Sequence, residues 1–139
     1  MTSNDIPGYE VKYVMGEVFG LTVRSRNFGA GFLAGFRALG GGEIPEMTKL
    51  LLQSRNEAMG RMIAEAQQRG ANAIVAMRFD NGEIAGQWTE ICAYGTAVWV
   101  VPTSAEARQQ YDSMVAAGRM PHQQQYATSV AEFEPRPQR

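Results

Sequence analysis

Between Ala73 and Val101 the chain carries apolar residues on both faces of an extended backbone, and this pattern limits the possible folds more than any other feature of the sequence. Ala73 to Phe79 and Trp88 to Val101 read as two strands, with Asp80-Asn81-Gly82 supplying turn chemistry between them. A hairpin centred on Ile84 sets Arg78 opposite Glu90, Ala76 opposite Cys92 and Ile74 opposite Tyr94. The charged pair adds only about 0.5 kcal/mol. On the other face Val75 then meets Ala93, and Met77 meets Ile91. Such a sheet needs cover on both sides.

The preceding elements supply cover for one side. From Tyr9 apolar residues alternate (Tyr9, Val11, Tyr13, Met15, Phe19, Leu21, Val23), with Glu10, Lys12, Thr22 and Arg24 on the other parity, which predicts a long first strand with bends at Gly16 and Gly20. Glu17 is the one charge on the apolar parity and fits either a bulge near Gly16 or a polar position at a subunit seam. Residues 25 to 42 are glycine-rich yet hold Phe28, Phe32, Leu33, Phe36 and Leu39, the composition of a short helix or irregular loop that tucks aromatics against a neighbour. Glu46 to Arg69 is rich in helix formers, and Pro45 stands where a first-turn proline is tolerated. Met47, Leu50, Leu51, Ser54, Ala58, Met62 and Ala66 make one stripe to face the sheet, while Lys49, Gln53, Arg61, Glu65 and Gln68 avoid it. Gly70 is placed to end the helix, and Gly60 inside it predicts a tight backbone approach.

One helix covers one face of a three-stranded sheet. An open apolar patch of several hundred Å² represents on the order of 10 kcal/mol of unrealised burial, so self-association is the expected cover. Pro102 stops the last strand, and Thr103-Ser104-Ala105-Glu106 opens a short helix with Ala107, Tyr111, Met114 and Val115 on one face, ended by Gly118. That helix is too short to cover the second face. The expected organisation is an α+β, β-α-β-β domain over residues 1–102 with a mostly antiparallel sheet, a short helix over 103–118 and a flexible Gln- and Pro-rich tail over 119–139.

Composition removes several classes of function. The 139 residues fit one domain, and a formal charge of −1, with both signs scattered, leaves no footprint for nucleic acid. No apolar run approaches the ~20 residues of a membrane span, and the first residues lack the pattern of a secretory signal, so a cytoplasmic protein is expected. Cys92 is the only cysteine and forms no intrachain disulfide.

Several stretches together resemble the YbjQ-like family, which carries a heavy-metal-binding label: Ile6-Pro7-Gly8-Tyr9-Glu10-Val11, Gly16-Glu17-Val18-Phe19-Gly20, Arg24-Ser25-Arg26-Asn27, Gly41-Gly42-Glu43, Arg55-Asn56-Glu57-Ala58, Gly70-Ala71-Asn72-Ala73-Ile74 and Tyr94-Gly95-Thr96-Ala97-Val98. The resemblance spans residues 5 to 101. It implies a dodecin-like subunit in a ring-shaped homopentamer whose extra strands help join neighbours, and it implies no established enzymatic activity. Glu17, where the family usually has an apolar residue, and the tail beyond Pro102 depart from the pattern.

Candidate chemistry is sparse. Cys92, a weak metal candidate, and His122 are the only soft ligands besides the methionines, whereas a structural zinc site wants four Cys or His ligands. Ring symmetry can multiply one ligand, so Cys92 or Glu17 could line a seam or axial metal site. The Gly40-Gly41-Gly42 triplet lacks the Lys and Ser/Thr of a P-loop, and Gly29-Ala30-Gly31 does not open a long helix after a strand. Arg24, Arg26 and Asn27 form a polar cluster suited to an anion or a neighbour's carboxylate. Asn72 is placed to fix the helix-to-strand turn, and Asn56 to reach backbone across a seam. Tyr94 joins Glu17 and Arg24 as a candidate if symmetry builds an enzyme site between subunits. With no catalytic pair or triad in evidence, the expectation is a non-enzymatic ring protein without cofactor, binding itself, with stacked rings or a tail-bound protein partner as further options. The eight methionines are scattered and read as core filler.

Overall fold

The computed structural model describes residues 1–25, 45–86 and 88–121. The expectations for Phe28 to Leu39, both glycine clusters, Arg26, Asn27 and His122 lie outside the described residues. Strand β1 (Tyr9–Ser25) is followed by helix α1 (Pro45–Gln68), strands β2 (Ala73–Ile84) and β3 (Trp88–Pro102), and helix α2 (Ala105–Ala116). The strands form one antiparallel sheet in the order β1-β3-β2, so β1 and β2 are its outer strands. The expected α+β class and element order are therefore present. Contacts group the chain into two compact units, Met1–Val18 with Ala64–Met77 and Gly95–Arg139, and Phe19–Ile63 with Arg78–Tyr94.

In the second unit α1 lies on β1 at very short range. A Cβ at Gly20 would stand 1.8 Å from the Ala58 carbonyl oxygen and 2.6 Å from the Met62 nitrogen, so only glycine fits there. The buried stripe of α1 here is Ser54, Ala58 and Met62, four residues apart. Leu51, expected on that stripe, is instead 49% exposed, because a stripe stepping by four drifts away from it, and the side chain of Met47 lies outside the description. Gly60 also differs from expectation: it is exposed, and a Cβ there meets nothing within 4 Å. The close approach expected at Gly60 occurs at Gly20, which faces the helix from the strand.

The hairpin closes two residues later than its sequence predicts. Ala85 and Gly86 have φ of 53° and 67°, the left-handed pair that suits a tight hairpin turn. β2 therefore runs through Asp80-Asn81-Gly82, and the Gly82 Cβ position lies 3.9 Å from Glu90 Cβ, which sets Glu90 against Gly82 rather than Arg78. Extending the ladder outweighs the local turn preference of Asn-Gly.

In the first unit Val75, Val98 and Val100 form the centre of a core flanked by Ile6, Tyr9 and Ala73. Gly70, with φ 79°, ends α1, its N–H bonding Gln67 O while Ala71 N–H reaches Ala66 O, the paired bonds of a Schellman cap. Gly16 has φ 92° within β1, a left-handed conformation that favours glycine, and the strand runs on through it. The N-terminal segment covers part of the outer edge of β2, Ala76 N–H donating to Ser3 O (2.8 Å) and Met77 N–H to Met1 O (2.9 Å). α2 begins as predicted, one residue along: Ser104 Oγ accepts from Ala107 N–H at 3.1 Å, Ala107 and Tyr111 are buried, and Gly118 follows with φ 67°. Thr103 N–H to Gly8 O (2.7 Å) and Tyr9 OH to Ala107 O (3.1 Å) tie this helix to the start of β1.

Candidate functional site

The polar parity of β1 faces α1. Thr22 Oγ1 donates to Ser54 O at 3.2 Å, Arg24 Nε donates to Ser54 Oγ at 3.3 Å, and Arg24 Nη2 meets Glu57 Oε2 at 2.7 Å. Glu57 also accepts from Arg61 at 2.6 Å, and Arg61 bonds the Leu21 carbonyl. Arg24 on β1 is thus held by a carboxylate of α1 in its own chain. Glu57 was legible only as the i, i+4 partner of Arg61.

The consequence falls on the other parity. Phe19, Leu21 and Val23 are 51%, 44% and 49% exposed along the same stretch. A helix backed against glycine leaves no depth for large side chains, so this face takes hydrogen bonds and the large apolar residues point away. Leu51 and Leu52 of α1 border an open groove of about 430 Å³ with Arg55, Asn81, Thr89 and Ile91, and the Arg55 guanidinium stands 5.3 Å from the Phe79 ring centre.

The remaining candidates are dispersed. Asn72, between α1 and β2, bonds β3, its Nδ2 donating to Val100 O and its Oδ1 accepting from Val100 N–H, both at 2.8 Å. Asn56 and Glu17 are exposed, and Tyr94 is half-buried. Glu17 and Arg24 belong to different compact units. Cys92 is half-buried, and burial together with Glu90 and Asp80 pushes its thiol pKa up, which disfavours the thiolate a soft metal needs. Among the described residues no group of three His, Cys, Asp or Glu side chains is placed to hold a metal ion. Nor is any described helix long and apolar enough to cross a membrane.

The first unit contains a cavity of about 260 Å³ lined by Met1, Ile6, Ile74, Val100, Met114 and Met120 among others. Tyr9, Asn72 and Gln110 supply its polar edge. No local pattern marks Met1, Met114 and Met120 as sharing one wall, since two lie beyond Pro102 and one at the N-terminus.

Comparison with known proteins finds relatives by sequence. A UPF0145 protein of Acidothermus cellulolyticus is 58% identical over 72% of this chain and 93% of its own length. One from Mycobacteroides abscessus is 56% identical over 73% and 95%, and one from Thermoplasma volcanium 46% over 78% and 89%. A crystal structure of a protein of unknown function from Pediococcus pentosaceus, placed in the DUF74 family, aligns with a TM-score of 0.47 at 15% identity, covering 72% of this chain and 94% of that one. The profile of the YbjQ family, described as "Putative heavy-metal-binding", matches residues 1–101, and the chain belongs to that family.

Proposed function

We propose that the chain is a non-enzymatic subunit of a cytoplasmic homo-oligomeric ring, pentameric in size, with a structural or small-ligand-binding role. The observation that carries this reading is the exposed apolar row Phe19, Leu21 and Val23 on β1, an outer strand of the sheet. Tyr13 and Val14, at 53% and 68%, extend exposed apolar surface into the first half of the strand. An edge strand with both free backbone groups and apolar side chains is a template for pairing with another chain, and natural proteins cover such edges. The N-terminal segment covers part of the β2 edge, and β1 is the other outer strand of the sheet. A second copy supplies both a ladder and an apolar face. A closed ring gives every copy the same cover and leaves no open end.

Light scattering at micromolar concentration tests the proposal. The expected mass is near five chains. A single-chain mass that persists on concentration would remove the ring.

A further inference from the structure

Helix α1 carries a second stripe that its own sheet does not use. Leu52, Asn56, Met59 and Ile63 follow one another at steps of four, three and four residues, and the helical repeat sets them on the side turned away from the buried Ser54, Ala58 and Met62. Leu52 is 58% exposed and Ile63 40%, Asn56 is exposed and Met59 half-buried. Alternating steps of four and three make the seam of a coiled coil, with Leu52 and Met59 at the d positions and Asn56 and Ile63 at the a positions. Each residue type suits a parallel pair of helices. A β-branched side chain at a with leucine at d favours two strands, and a single asparagine at a fixes register and strand number at a cost in stability. Asparagine is otherwise a poor choice within a helix, because its amide competes for backbone hydrogen bonds. All four residues lie in the second compact unit.

We infer that this face of α1 packs, parallel and in register, against α1 of a second copy. The asparagine identifies the partner. In a parallel pair Asn56 meets its own counterpart, and each amide offers the donor and the acceptor that the other needs. An antiparallel pair would set Asn56 against Met59 and bury the amide against a thioether. The flanking positions hold Gln53 and Gly60 at e and Arg55 and Met62 at g, so Arg55 stands opposite Gly60 and two copies bring no like charges together. The seam is two heptads long, short of the roughly three or four that mark a self-sufficient coiled coil, so the contact is weak and forms only at high concentration. It goes beyond the ring and does not depend on it, since it uses α1 rather than the apolar row of β1.

Light scattering of the full-length protein from micromolar to several hundred micromolar should show the mass double, whether it starts from the ring or from the single chain. Ile63→Asp buries an unpaired carboxylate in the seam and should abolish the doubling while far-UV circular dichroism stays unchanged. Asn56→Val removes the polar register device and should shift the doubling to lower concentration. Orientation is read by cross-linking in a Cys92→Ala background, where Leu52→Cys should oxidise with itself to a covalent two-chain species. A mass that stays constant across the range, a doubling that survives Ile63→Asp, or a covalent product formed only on mixing Leu52→Cys with Ile63→Cys chains would overturn the contact. The two self-contacts fail separately: a ring that never doubles defeats only the helix seam, and a single chain that doubles defeats only the ring.

Discussion

Gly20 and Gly60 show how differently one residue type acts at two places. A Cβ at Gly20 would collide with the Ala58 carbonyl at 1.8 Å, and both atoms belong to backbone that cannot swing aside. Gly20→Ala therefore forces strand and helix apart and should cost about 3 kcal/mol, read as a lower urea midpoint. Gly60 meets nothing, so Gly60→Ala regains helix propensity and should stabilise by about 1 kcal/mol in the same measurement. Sequence alone marks each as a glycine among apolar neighbours. Which one is needed depends on the distance to another element, and no local pattern encodes that distance. Arg24 repeats the lesson: the guanidinium was visible, but its partner Glu57 is one of 14 acidic residues and only the packing of α1 on β1 selects it. Asn72 was legible by its place between helix and strand, but not its partner, Val100 of β3, which only the fold brings to it.

Elements were the most readable level, since periodicity and caps are local. All three strands and both helices lie where alternation, the four-residue stripe and the Gly70 cap predict them. The hairpin turn did not, because Ala85 has no turn signature and its positive φ is imposed by the ladder on either side. Ala85→Gly should relieve that conformation and stabilise by about 1 kcal/mol in thermal unfolding. At α2, Ser104→Ala removes the cap on Ala107 N–H and should cost about 1 kcal/mol, visible as faster amide exchange in residues 105–116. Glu106 is bonded by its own backbone N–H and by the Ser104 hydroxyl, which hold its pKa below the ordinary carboxylate value. A lowered folded pKa means the contribution is present above the unfolded pKa and is lost as pH falls through the folded one. Exchange protection of α2 should therefore decline on acidification below the usual carboxylate range, and Glu106→Gln should flatten that dependence.

At the scale of the whole molecule, the sheet's exposed apolar row separates two descriptions of the same chain. If Phe19, Leu21 and Val23 face water, replacing Leu21 by Asp alters one surface side chain and should change stability by less than about 0.5 kcal/mol. If they face a neighbouring copy, the carboxylate is buried at every seam of the ring without a partner, a penalty of several kcal/mol per seam by ordinary transfer costs. The native row, by contrast, has about 1 kcal/mol per side chain still to gain from cover of its exposed half. Leu21→Asp should therefore shift the light-scattering mass from the ring towards the single chain. Far-UV circular dichroism should be retained at low concentration, because the Leu21 side chain lies on the exposed parity of β1, whereas the join of α1 to β1 rests on Gly20, Thr22 and Arg24. Leu21→Met, which conserves volume and apolarity, should leave the mass unchanged. An Asp variant with unaltered mass would place Leu21 in water in the assembled protein and move the seam off this face of β1.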